Sequence, residues 1–80
     1  MFHYVYILRS EHDSGCHYVG LTGNLEERLA AHNTGKVSHT RKHLPWRIET
    51  AVAFREKLKA TSFECYLKSG SGREFARRHF

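Results

Sequence analysis

Apolar and polar positions along this chain change period three times, and the changes mark its elements. Residues 2–9, Phe-His-Tyr-Val-Tyr-Ile-Leu-Arg, are rich in aromatic and β-branched side chains and too short for an amphipathic helix. They predict a strand. The polar run at 10–15 predicts a turn, and residues 16–21, Cys-His-Tyr-Val-Gly-Leu, a returning strand of the same hairpin. Successive strand side chains alternate between faces, so Tyr4, Tyr6 and Leu8 share one face while His3, Val5 and Ile7 share the other. Register then decides whether Tyr6 and Tyr18 meet. Pairing residue 6 with residue 18 sets the two phenols side by side; a slip of one residue puts them on opposite faces.

Beyond residue 23 the period becomes helical. Asn24 suits an N-cap, and Glu27 three residues later completes a capping-box pattern. Strong helix formers fill residues 25–32, and Gly35 is placed to end the helix. Arg28 and His32, four apart, lie on one stripe bordered by Leu25 and Leu29. Residues 36–47 read as a basic loop running to the Pro45-Trp46 break, followed by a third strand at about 47–54. A second helix is predicted over roughly 56–68, where Ala60, Phe63, Glu64 and Leu67 fall on one stripe. Ser69-Gly70-Ser71-Gly72 reads as a break, Ser71 and Glu74 as a capping box, and 73–79 as a last short helix. These elements make an α+β fold, a small three-stranded antiparallel sheet flanked by helices, as a single domain over residues 1–80.

Length limits what such a domain can do. A chain of 80 residues buries only about 60% of the surface it exposes unfolded, so an active site must lie on the sheet face or at its edge. Charge adds a direction. Residues 1–35 carry Arg9 and Arg28 against four carboxylates, whereas residues 36–80 carry eleven Lys and Arg against four glutamates. A basic half of this kind is the electrostatic footprint of a phosphate-backbone binder, although a merely solubilising surface has the same composition. Cys16 and Cys65 are far apart and outside any Cys-x-x-Cys spacing, which argues against a disulfide framework. There is neither an apolar run long enough to span a membrane nor a signal-peptide pattern, and a soluble cytoplasmic protein is expected.

Several side chains invite chemistry, and each also has a plain structural account. Glu64 sits on an apolar stripe, where a carboxylate loses hydration; it either pairs with a neighbour at the stripe's edge or holds a hard divalent cation. Arg28 and His32 make either an exposed charged face or a guanidinium fork for phosphate with a proton acceptor one turn away. Tyr6 and Tyr18 suit core aromatics, and act as bases only if nearby positive charge lowers a phenol pKa of about 10. Lys68 and Arg73 flank the Ser-Gly turn and could cradle phosphate. Seven histidines include the close sets His12, Cys16, His17 and His39, His43, but none has the paired spacing of a structural zinc site.

Taken in order, these residues resemble the GIY-YIG nuclease family along nearly the whole chain. Tyr4-Val5-Tyr6-Ile7-Leu8 looks like the first motif and Tyr18-Val19-Gly20 like the second, across a hairpin. Arg28 stands where the family has its helix arginine, His32 matches a residue one turn further that many members share, and Glu64 matches the metal-binding glutamate. The stretch from Glu64 to Glu74 resembles the end of small stand-alone bacterial members. Two positions depart: Tyr4 replaces the first motif's glycine, and Ala76 lies where larger members carry an asparagine. The resemblance implies an endonuclease hydrolysing DNA phosphodiester bonds with one Mg²⁺ or Mn²⁺ at Glu64 and little sequence specificity, a chemistry suited to repair or recombination. Arg28 would stabilise transition-state charge, and Tyr6, or second Tyr18, would handle the attacking water with help from His32. Lys36, Arg41, Lys42 and Arg47, with Lys68 and Arg73, would contact the DNA backbone. It also implies that Tyr6, Tyr18, Arg28, His32 and Glu64 converge on one face of the sheet. The competing function is a non-catalytic nucleic-acid-binding module of the same fold.

Overall fold

Strand β1 (His3–Ser10) runs through the middle of the sheet, with β2 (His17–Thr22) on one side and β3 (Trp46–Phe54) on the other, both antiparallel to it. Helix α1 (Leu25–Asn33) follows the hairpin, and a 3₁₀ turn at Arg41–His43 interrupts the connection to β3. Helices α2 (Lys57–Leu67) and α3 (Gly70–His79) complete the chain. This computed structural model describes all of residues 1–80. The expected α+β fold, a three-stranded antiparallel sheet flanked by helices, is the one observed. No helix is long and apolar enough to cross a membrane.

Both faces of the sheet are covered. Val5 and Ile7 pack with Ala60 and Leu67 of α2, joined by Phe63 and Phe75, while Tyr6, Leu8 and Trp46 pack against Leu25 and Leu29 of α1. A central strand covered twice has no solvent face, so residues 5–8 are all buried and the usual alternation is lost. Strand β3 serves both layers by a different device. Its alternating Trp46, Ile48, Thr50, Val52 and Phe54 would all share one face of a regular strand. The register pairs Ile7 with Thr50 but Leu8 with Ile48, leaving Glu49 as an extra residue. This bulge hands Trp46 and Ile48 to the α1 layer while Phe54 stays with the α2 layer.

The helix ends show where local chemistry won and where packing overrode it. Asn24 caps α1 as expected, its side-chain oxygen accepting the Glu27 N–H at 3.1 Å. Gly35 closes the helix with φ +78°, its N–H reaching the His32 carbonyl while that of Lys36 reaches Ala31. The Ser-Gly stretch differs from the expectation. Residues 70–72 form the first turn of α3, and the cap is Ser69, whose Oγ accepts the Gly72 N–H at 3.1 Å. Ser71 is therefore no cap, and Glu74 pairs with Arg77 instead. The reason lies in packing: α3 turns back so tightly that a Cβ at Gly72 would collide with the Tyr66 carbonyl. Glycine here permits contact between two helices rather than interrupting one.

Candidate active site

Tyr6 pairs with Gly20, and Tyr18 with Leu8, so the direct pairing of residues 6 and 18 is off by two. A shift of two preserves parity. Both phenols therefore face α1, with ring centroids 6.4 Å apart. The shift also gives Tyr6 its place, because the residue opposite has no side chain and the phenol lies over it. A Cβ at Gly20 would stand 2.9 Å from Tyr6 Cε1 and closer still to Cζ and Oη.

Helix α1 delivers two side chains to the same face. Arg28 Nε donates to Tyr6 Oη at 3.3 Å. His32, fully buried, places Nε2 3.1 Å from the same oxygen and Nδ1 2.8 Å from Thr40 Oγ1. Its ring also meets that of Tyr18 edge-on at 4.9 Å. The hydroxyl of Thr40 lies 3.3 Å from the Val37 carbonyl, to which it donates its one proton. Thr40 Oγ1 then accepts Nδ1–H of His32, leaving Nε2 to accept the Tyr6 O–H, and every donor in the chain has an acceptor. Thr40 is itself held, its carbonyl accepting Trp46 Nε1–H at 2.8 Å. Asn33 fastens the end of α1 to β3 by donating to the Trp46 carbonyl at 2.9 Å and accepting its N–H at 2.6 Å.

Burial sets the protonation states. It raises the Tyr6 phenol above its ordinary value, against the smaller opposing pull of the Arg28 hydrogen bond and charge. Burial first, and the Arg28 charge second, lower His32 below its ordinary value. Near neutrality the site thus holds a protonated phenol, a neutral imidazole and a permanent guanidinium. The imidazole is free to accept a hydrogen bond, with its basicity reduced by burial and by the Arg28 charge, and the phenol still has a proton to give.

Glu64 comes from the other layer, so of the five residues expected to converge four are in direct contact and the fifth acts on Tyr6 through its charge. It stands on α2, which packs against the Val5 and Ile7 side of the sheet. Its side chain, 20% exposed, binds the ammonium of Lys68 at 3.2 Å. Lys68 lines a groove of about 680 Å³ with His17, Tyr18 and Val19 of β2 and Arg73 of α3. The Glu64–Lys68 pair therefore lies towards the edge of the sheet, and the Glu64 charge is near enough to help raise the Tyr6 phenol. Four of the five side chains meet directly and the fifth approaches past the edge strand. The physical reason is that a two-layered fold gives α1 and α2 opposite faces.

The basic residues also divide. Lys36, Arg41, Lys42 and Arg47 are exposed along the connection from α1 to the start of β3, the stretch that also carries Thr40. Lys68 and Arg73 belong to the other layer, and Lys68 is already engaged by Glu64. Arg9, outside both groups, is held by the Glu49 carboxylate through bonds of 2.8 and 2.9 Å.

The family model described as the GIY-YIG catalytic domain matches residues 2–78, the span that holds the tyrosine hairpin and the α1 arginine. The chain belongs to the GIY-YIG family. This is a family of nucleases. A UPF0213 protein of Bacillus licheniformis is 40% identical over 67 residues, 82% of this chain and 67% of its own length. One of Streptococcus pneumoniae is 39% identical over 66 residues, 81% of this chain and 65% of its own, so the GIY-YIG chain spans about two thirds of such relatives. The solution NMR structure of a UPF0213 protein from Bacillus halodurans is 35% identical, with a TM-score of 0.58 over 96% of this chain and 81% of that one.

Within this GIY-YIG site, two contributors escape a reading of the sequence. Thr40 sits in the basic stretch, eight residues beyond His32, with no periodicity linking the two. Asn33 looks like any polar residue at a helix end, yet it anchors Trp46. The Gly20 seat for Tyr6 becomes visible only once the register is known.

Proposed function

We propose that residues 1–80 act as one metal-dependent DNA endonuclease domain, cutting phosphodiester bonds with little sequence specificity. The observation that carries this reading is the Tyr6 hydroxyl held between Arg28 Nε and the buried, neutral His32. A buried tyrosine hydroxyl needs one hydrogen-bond partner; a guanidinium donor together with a neutral imidazole acceptor goes beyond that need and suits a hydroxyl that exchanges protons beside a phosphate. As the attacking water approaches, Tyr6 takes its proton and passes its own to His32 Nε2. Thr40 keeps Nδ1 protonated so that Nε2 stays an acceptor. Because burial outweighs the pull of Arg28 on the phenol, Tyr6 acts through this relay and not as a standing phenolate, and Arg28 would stabilise charge on the phosphorane-like transition state. Tyr18, flanking the imidazole, is the second choice for the base.

Glu64 is the residue to hold Mg²⁺ or Mn²⁺, its remaining ligands being water and substrate phosphate. One partly open carboxylate fits such an ion, provided Lys68 swings away from it. The ion would supply charge stabilisation at the scissile phosphate and the leaving oxygen. Lys36, Arg41, Lys42 and Arg47, with Arg73, would bind the DNA backbone without reading bases. A cytoplasmic role in repair or recombination suits such a cut.

One observation favours a second reading, a non-catalytic nucleic-acid-binding module. The Lys68 ammonium already neutralises Glu64, which removes the electrostatic need for a metal. Cleavage of nicked, branched and single-stranded DNA with Mg²⁺ and Mn²⁺, run beside Glu64→Gln, separates the two. The nuclease predicts divalent-dependent cutting that Glu64→Gln abolishes while DNA binding persists. Salt-sensitive binding with no cleavage of any substrate would establish the module instead.

A further inference from the structure

The tertiary structure assembles a second group of potential ligands, which no spacing in the sequence marks as a metal site. Asp13 and Cys16 sit in the turn between β1 and β2, and His43 ends the 3₁₀ turn before β3. Their ligand atoms lie within 4.8 Å of one another. Cys16 Sγ is 3.3 Å from Asp13 Oδ2, 3.7 Å from His43 Nδ1 and 3.9 Å from Nε2. In a tetrahedral zinc site, bonds of about 2.3 Å to sulfur and about 2.0–2.2 Å to nitrogen and oxygen set these edges at roughly 3.5 Å. The two edges at Cys16 already stand near that separation, and the near-equal distances from its sulfur to the two His43 ring nitrogens mean the imidazole would turn to present one of them.

We propose that Asp13, Cys16 and His43 bind a zinc-class divalent cation that joins the hairpin turn to the basic segment between α1 and β3. The donor set of thiolate, imidazole and carboxylate selects borderline-soft ions such as Zn²⁺ over Mg²⁺ or Ca²⁺. On binding, the Cys16 thiol releases its proton and the sulfur lone pair forms the metal bond. Water takes the fourth position on the exposed side of Asp13.

The two ligand-bearing segments are already fixed to one another, so binding an ion would require side-chain rotation and no backbone rearrangement. Ser10, 1% exposed, donates to the His43 carbonyl at 2.6 Å and accepts the N–H groups of His12 and Asp13 at 3.1 and 3.0 Å. Glu11 N–H adds a bond to the Pro45 carbonyl at 2.9 Å. Asp13 Oδ1 accepts the Gly15 N–H at 3.1 Å, which turns Oδ2 towards Cys16, an orienting contact of the kind metal ligands require. The ion would brace the segment that carries Arg41 and Lys42 and, just before them, Thr40 against His32. It is independent of any ion at Glu64.

Co²⁺ titration of the full chain, reduced and free of other metals, tests this directly. The expected result is one equivalent bound, with the charge-transfer absorption of a cobalt–thiolate bond and visible bands of tetrahedral strength, both abolished by stoichiometric Zn²⁺. Cys65→Ser should leave the spectrum unchanged, whereas Cys16→Ser should remove the thiolate band. His43→Gln and Asp13→Asn should each weaken Zn²⁺ binding on the order of 100-fold. Asp13→Asn keeps the bond from Gly15 and reports on the ligand even if Cys16→Ser fails to fold. Absence of a thiolate band in Cys65→Ser, or undiminished Zn²⁺ affinity in Asp13→Asn, would overturn the proposal.

Discussion

Replacing Gly20 with alanine sets a methyl group against the Tyr6 phenol. The added carbon would stand 2.9 Å from Cε1 and closer to Cζ and Oη, against an ordinary carbon–carbon contact of about 3.5–4.0 Å. The ring must give way by about 1 Å. It has nowhere to go, because Tyr6 is 2% exposed and packed in the Leu8–Trp46 cluster beneath α1. Overpacking of this kind costs about 1–3 kcal/mol, offset by roughly 0.5–1 kcal/mol from removing a strand glycine. A net loss of about 1–2 kcal/mol lowers the urea midpoint by roughly 1–2 M at a slope of about 1 kcal/mol/M. Activity should fall further than stability. A displacement of about 1 Å pulls the hydroxyl away from Arg28 and His32 and costs cleavage about 100-fold. The cause is isolated by a double-mutant cycle with Tyr6→Leu, whose shorter side chain leaves the space over residue 20 empty. In that background Gly20→Ala should be neutral or slightly stabilising. Equal costs in the two backgrounds, or no cost with Tyr6 present, would show that the phenol does not lie over Gly20.

Three further outcomes follow from the same geometry. Arg28→Lys keeps the charge but loses the planar fork, and should lower the cleavage rate about 100-fold with DNA affinity little changed; a rate within twofold of the parent refutes a transition-state role. His32 is held neutral by burial, so between its ordinary value of about 6.5 and its lowered folded value the unfolded chain binds a proton that the folded chain refuses. Stability attributable to His32 is therefore complete above that window and lost as pH falls through it. Urea titrations at pH 7 and pH 5 should show the loss in the parent and a smaller one in His32→Asn, and identical pH slopes would count against a buried neutral imidazole. Lys42→Gln should weaken DNA binding about equally for all sequences and reduce the slope of log affinity against log salt by about one; an unchanged slope places Lys42 outside the interface.

The local chemistry of this chain was legible in its residues. The hairpin, the Asn24 cap, the Gly35 stop and the Arg28–His32 stripe each follow from periods and capping rules that act within a few residues, where only nearby atoms matter. Parity along β1 and β2 likewise put Tyr6 and Tyr18 on one face in any even register. What the tertiary structure decided depends on atoms distant in sequence. It chose the register two residues from direct pairing, which sets the ring of Tyr6 over Gly20. It placed a bulge at Glu49, so that one alternating strand feeds two cores, and it turned the Ser-Gly stretch into a helix start where α3 meets Tyr66. It set Glu64 in the opposite layer from the phenols and brought Thr40 to His32 and His43 to Cys16. Periodicity records which side of its own element a residue occupies. Which elements share a layer is settled by how they close over one small sheet, and the candidate site depends on that closure.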